Sequence, residues 1–528
     1  MRRVPRVLLP LAVGAVALLV FAAGAAANHA ERPQENLQAL GHSPDFGNFL
    51  LPDGQRDANS DLAFRGNLVF HGDYDGFRIV RGGPNPRLVS RTRCNGDQGD
   101  IVIWRDVLVR AWNAPKAEAR NCDGTTVPAG FEGMHIFDIS DLRDPQLIGE
   151  VELSARPEAD SPGCGTHTLT LVPDGDRAII YNATSGGNPA LAPADQECDW
   201  IDIIEVPRDD PGDAQHLRRE PLEGGHAAHD NGVILGDVNK LASASGHMSN
   251  VFDIGRNSTP GGSLEDPVPL YRIEEPGVCS EPGTDPERPC NGNWHSAAFT
   301  WDGEVVILGW EPGGGSLPEC EADDPPVKKS AFFYDADTGA KLGQWTLPNP
   351  QTAQENCTIH NYNVVPLRSG RYVLVGGHYQ AGTWVVDFTN PAAPATLGWS
   401  DPPPAVPTQL GGAWSSYWYN GLIYESEIQV GLNVFRYTGR ETRGDIKLRQ
   451  LNPQTQEFSL RADRDDDDDK DRGDKDRGDK DRDDKDRGDK DRGDDDRDRD
   501  RDDDDDDRDR DRDDDDDDRD RDRDDDDD

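Results

Sequence analysis

Basic residues are scarce in this chain relative to acidic ones. Its 528 residues include 56 Lys or Arg against 102 Asp or Glu, a formal net charge of −46. A chain of that sign lacks the cationic footprint that phosphate binding needs, which excludes nucleic acid as a partner. No CxxC pair occurs, so a zinc-ribbon thiolate cluster has no sequence basis. The glycine run 313–315 has no following Lys or helix, so it is no phosphate loop, and no nucleophile elbow occurs. After residue 27 no stretch is apolar enough to cross a bilayer, and neither a lipobox cysteine nor a hydrophobic C-terminal sorting tail is present. Amphipathic helical spacing is missing too, broken up by 55 Gly and 39 Pro.

The two ends differ from the body. Arg2, Arg3 and Arg6 precede an apolar run from Val7 to Ala27 that ends in Ala25-Ala26-Ala27. This is the layout of a secretory signal over residues 1–27; if uncleaved, the run is also long enough to anchor the chain. Residues 463–528 contain 42 Asp, 20 Arg or Lys and 4 Gly and nothing else, a net −22 that leaves −24 for residues 1–462. Such a segment has no apolar surface to bury and is expected to stay disordered. It reads either as a solubilising spacer or as a loose, multivalent Ca²⁺ adsorber, since carboxylates are hard ligands. A Ca²⁺ adsorber would lose all binding on truncation after Ala462. Residues 28–56 and 441–462 read as an N-terminal segment and a linker.

Eight cysteines suit an exported, oxidised protein. Proximity favours sequential pairs, Cys94–Cys122, Cys164–Cys198, Cys279–Cys290 and Cys320–Cys357. An inter-unit alternative, Cys122–Cys164, stays open at this point.

Between residues 57 and 440 a motif starting with histidine and running into a turn recurs. It begins at His167, His229, His295 and His360, at intervals of 62, 66 and 65 residues. A period of this kind marks a propeller, solenoid or array. Each unit opens with a hairpin, as in Ala297-Ala298-Phe299-Thr300, a turn at Trp301-Asp302-Gly303, then Val305-Val306-Ile307-Leu308. An apolar run ending in Asp follows, then a turn and a short strand, as in Ile136-Phe137-Asp138 with Leu147-Ile148-Gly149. Four strands per unit and seven unit starts, near Leu62, Cys94, Cys164, His226, Trp294, Cys357 and Trp414, predict an all-β, seven-bladed β-propeller. The outer strand of the last unit comes either from residues 446–451 or from the segment before Asp57.

The stretch Leu62-Ala63-Phe64-Arg65-Gly66-Asn67-Leu68-Val69-Phe70 with Gly76-Phe77-Arg78-Ile79-Val80, and His135-Ile136-Phe137-Asp138-Ile139-Ser140-Asp141, resemble the LVIVD-repeat family of exported bacterial β-propellers. The resemblance spans about residues 57–440. It implies the fold and export, and no particular reaction. Ile203-Ile204-Glu205-Val206 departs from the pattern in lacking the Asp.

In a closed ring, equivalent slots meet around one axis. His167, His229, His295 and His360 start innermost strands and are expected to ring one channel mouth. His71, His247 and His378, with Glu311, end second strands on the same side. The expected metal-ligand set is therefore His167, His229, His247, His295, Glu311, His360 and His378, suited to Cu, Zn or Fe. The competing reading makes the histidines inherited scaffold that bonds neighbouring blades. Trp294 and Trp414 are expected to edge the same mouth. Two function classes follow: a secreted or surface-exposed, non-catalytic binding or scaffold module, or a metal-dependent enzyme of the oxidoreductase type. The expected partner is an extracellular protein or small ligand of unknown identity, the expected state a monomer. No membrane span is expected after signal cleavage.

Overall fold

In the computed structural model, residues 34–45, 58–96, 98–153, 164–185, 198–223, 227–255, 261–275, 277, 292–312, 320–403, 405 and 409–460 are described. The signal segment, the acidic tail and the Cys279–Cys290 pairing lie outside them. The described residues form an all-β ring with only two short 3-10 turns, Pro211–Asp213 and Pro326–Lys329.

Seven antiparallel sheets follow one another along the chain. Blade 1 comprises Asn59–Arg65, Leu68–Asp73, Gly76–Arg81 and Arg87–Arg93, with the first strand innermost. Blades 2 to 6 repeat this order from inner strands Ile101–Trp104, Leu169–Asp174, Ala228–Ile234, Gly292–Phe299 and Tyr362–Val364. Blade 7 uses Ala413–Tyr419, Leu422–Glu427 and Gly431–Tyr437. Every innermost strand packs on those of both neighbours, and blade 7 returns to blade 1, so the circle is closed. Core side chains lie between sheets: Phe299, Leu308 and Phe332 of blade 5 cluster with Ala242 and Val251 of blade 4, all buried. Turns at Gly66, Gly175 and Gly303 carry φ of 59°, 62° and 71°, a conformation that glycine adopts without strain.

The ring is closed from both ends of the chain. The outer strand of blade 7 is Leu37–Pro44, paired with Gly431–Tyr437, which settles the choice left open by the sequence. Asp45, directly after it, is the hub of a buried latch. Its carboxylate meets Arg78 Nε at 2.7 Å and Arg91 Nη1 at 2.9 Å. Arg91 also reaches Asp73 at 3.1 Å. Arg78 donates to His71 Nδ1 at 2.6 Å, and His71 Nε2 meets Ser426 Oγ of blade 7 at 2.7 Å. His71 therefore serves closure and lies outside the mouth cluster.

Residues 441–460, expected to belong to a linker, instead run along the ring. Asp445 bridges Leu367 of blade 6, and Leu448 bonds Asn420 of blade 7 at 2.8 Å. Gln450–Leu451 pairs with the inner strand of blade 1. Asn452 exchanges two 2.9 Å bonds with Ile103 of blade 2. Thr455 donates to Leu171 O of blade 3 at 2.8 Å, and Thr455–Gln456 pairs with blade 4. Leu460 N donates to Trp301 O of blade 5 at 2.7 Å. These Asn, Gln and Thr groups satisfy backbone edges that would otherwise face the channel unpaired. The strap covers the ends of the innermost strands, opposite the ends where the histidines start.

The Asp45→Ala substitution removes the carboxylate that faces the 2%-exposed Arg78. It is expected to lower stability by about 3 kcal/mol, as for a broken buried ion pair. The check is the urea midpoint at unchanged slope.

Candidate metal centre at the channel mouth

The four repeat histidines do converge. Ring centroids lie 4.2 Å apart for His167–His229, 3.9 Å for His229–His295 and 3.9 Å for His295–His360. Blades 3 to 6 thus place four buried imidazoles side by side. Trp414 of blade 7 holds the same slot, 4.8 Å from His360.

The backbone at these positions is irregular for a reason. Blade 4 pairs Ala228 with Ser245 and Asp230 with Ala244, so His229 falls in a bulge. Blade 5 skips His295 and Ser296, and blade 7 skips Trp414. A bulge re-aims the side chain it carries, here toward the axis. Two disulfides fix the approach: Cys164–Cys198 ahead of His167, and Cys320–Cys357 ahead of His360. Cys94–Cys122 closes the third loop. All three are the sequential pairs.

Carboxylates flank the rings. Asp230 Oδ1 lies 3.5 Å from His229 Nδ1, and Oδ2 lies 3.9 Å from His295 Nδ1. Glu311 Oε2 lies 3.5 Å from His229 Nε2, and Oε1 lies 3.8 Å from His295 Nε2. Two donor groups result, His229–Asp230–His295 and His295–Glu311–His360, whose ligand atoms lie within 4.8 Å of one another. The neighbours fix ring orientation: His360 Nδ1 bonds Trp414 O at 2.5 Å, and His167 Nδ1 bonds Asn113 Oδ1 at 2.6 Å. Either bond leaves the opposite nitrogen available, the usual arrangement around a liganding imidazole. A third candidate group, Cys94–Cys122–His135, is spent in the disulfide.

Burial sets the protonation of the cluster. It lowers His229 to about 3 and pushes His167, His295 and His360 well below their usual range. It raises Asp230 to about 7 and Glu311 to about 8. Without an ion the site is therefore close to neutral. Neutral imidazole is the form that binds metals.

Not all of the expected set arrives. His378 is buried against Trp345, 5.6 Å between centroids, and among the described residues no ring contact joins it to the cluster, though its charge is felt at His360. His247 sits half-buried in the turn before Met248–Asp253. Several residues had not been singled out. Asp230 follows a repeat histidine directly. Tyr379 packs against His360, the rings tilted and 4.2 Å apart between centroids. Its φ of 44° is strained for a non-glycine residue, and it is held by a two-way backbone pairing with Ala413. Asp61 and Asp100 start the inner strands of blades 1 and 2 beside this group, buried. Tyr417 and Gln454 each donate to Asp61 at 2.7 Å. The signal for Asp61, Asp100 and Asp230 was their shared place at the start of an inner strand.

No family model and no curated protein matches the chain. Among solved structures it is similar to the computationally designed Ika8 protein, with TM-score 0.38 and 11% identity over 76% of this chain and 99% of that one. That likeness is too distant to bear on the site.

Burial raises Asp61 from 3.8 to about 6. Between those values the folded state holds more protons than the unfolded one, so stability falls as pH rises from about 4 to about 6. The Asp61→Asn variant is expected to flatten that part of the stability–pH profile, measured by urea unfolding.

Proposed function

We propose that this protein is an exported propeller that binds a late first-row transition metal at the mouth of its channel. The supporting observation is the packing of His229, His295 and His360 against Asp230 and Glu311 in two groups, His229–Asp230–His295 and His295–Glu311–His360, the donor atoms of each lying within 4.8 Å of one another. Borderline nitrogen donors with carboxylate oxygen suit Cu, Zn or Fe better than a hard cation, which takes oxygen alone. The ligands sit on strands of a closed ring, and rigid support of this kind holds a metal geometry.

Export is part of the reading. Three disulfides among the described residues suit an oxidising compartment. The apolar N-terminal run and the LVIVD-like stretches point the same way. A bound ion would supply Lewis acidity or redox capacity. Tyr379, Trp414 and the half-buried Tyr74, the latter two 6.4 Å apart, form an aromatic wall beside His360. A wall of that kind suits a small, partly apolar ligand presented to the centre.

The scaffold reading, in which the ring binds an extracellular partner without metal, rests on the fold alone. The two are separated by metal analysis of protein purified without chelator. At least one equivalent of Cu, Zn or Fe is expected, falling below about a tenth in His295→Ala. Chelation is expected to lower stability by about 3 kcal/mol if the ion is present at a hundredfold excess over its Kd. Metal-free protein with an unchanged melting temperature would leave the scaffold reading standing.

A further inference from the structure

The two donor groups share a residue, and they reach it from opposite edges. On one edge of the His229 and His295 rings, both Nδ1 atoms face Asp230, at 3.5 Å and 3.9 Å. On the other edge, both Nε2 atoms face Glu311, at 3.5 Å and 3.8 Å. His360 joins the Glu311 side, its Nδ1 already committed to Trp414 O. The lone pairs of the two nitrogens of an imidazole diverge within the ring plane. One ion therefore cannot engage the Asp230 edge and the Glu311 edge together.

The geometry points to a dinuclear centre in which the His295 imidazole bridges two transition-metal ions. The first ion is held by His229, Asp230 and His295, the second by His295, Glu311 and His360. This inference rests on the metal-binding reading above and adds its stoichiometry and its bridge.

Hydrogen bonding at the Asp230 edge agrees. His229 Nδ1, His295 Nδ1 and Asp230 Oδ1 are buried and have no hydrogen-bond partner. Three such buried atoms facing one another are costly, and an ion among them removes the cost. The other Asp230 oxygen is fixed: turned with its nitrogen toward it, the Asn361 amide donates to Oδ2 at 3.0 Å. At the Glu311 edge, Asn293 donates to Oε2 at 3.3 Å. Each carboxylate thus has its own orienting partner. In charge terms, each ion displaces the proton held by its carboxyl group, and the second also displaces the remaining ring N–H proton of His295; all of these protons go to solvent. The bridge is then an imidazolate, and no oxidant or reductant is consumed.

The experiment uses the full chain stripped with chelator and titrated with Zn²⁺ and, separately, Cu²⁺. Two equivalents per chain are expected, falling to one in Asp230→Asn and to one in Glu311→Gln, both close in shape to the native residues. With Cu²⁺ at two equivalents, coupling through the bridge is expected to leave the paramagnetic resonance signal well below two spins. The Asp230→Asn protein is expected to show one full spin. A single equivalent in the wild type, or two uncoupled spins, overturns the bridge and leaves a mononuclear centre. No uptake of either metal overturns the metal-binding reading itself.

Discussion

Circular closure is the constraint on which the rest depends. An imidazole at the start of one inner strand meets the imidazole of the next unit because successive inner strands pack side by side in a ring whose seventh sheet returns to the first. A ring of sheets has no intrinsic stop, so something must hold the last sheet to the first. Here the N-terminal strand supplies the outer edge of blade 7, and Asp45 then pins that strand to Arg78 and Arg91 of blade 1. The buried latch charges Asp45, Asp73 and Arg78 are all partnered, in part by the more exposed Arg91, which is the condition under which burying charge is tolerated. The C-terminal strap adds a second closure that touches all blades in sequence.

Polar burial in this molecule is concentrated along the axis. Apolar residues fill the spaces between sheets, whereas Asp61, Asp100, Asp230, Glu311 and four histidines occupy the centre. Burying that many ionisable groups opposes folding unless they are neutral or matched by an ion. The shifts follow the first course when no ion is bound: carboxyls rise and imidazoles fall. An ion offers the second. The same pattern fits a folded apoprotein that gains stability on loading.

Much of this was legible in the sequence. The near-constant spacing of His167, His229, His295 and His360 reflected one slot repeated in successive blades, and the contacts follow from it. Seven unit starts and the hairpin turns gave the blades. Glu311 was placed correctly because it lies across from Asn293, close to His295. The same reasoning failed for His247 and His378. A place at the end of a second strand does not fix which way a side chain points. His360 donates its amide to Gly377, and His378 turns instead toward Trp345. The bulges at His229 and His295 also escaped, since no residue type marks them. Closure by residues 37–45 and 445–460 depends on contacts between distant parts of the chain, for which local patterns carry no signal.

That arrangement has a consequence for how the chain matures. Asn36, directly before the strand Leu37–Pro44 that edges the last blade, accepts a bond from Thr438 across a separation of 402 residues. During synthesis, the N-terminal strand emerges first and has nothing to pair with until the seventh blade follows. Folding dominated by such distant contacts is slow, and an unpaired edge in the interval invites misassociation. The three disulfides among the described residues close loops of only 28, 34 and 37 residues, so they can form in order as each unit emerges. Early units are thereby secured one at a time while the final snap of the circle waits for the end of the polypeptide.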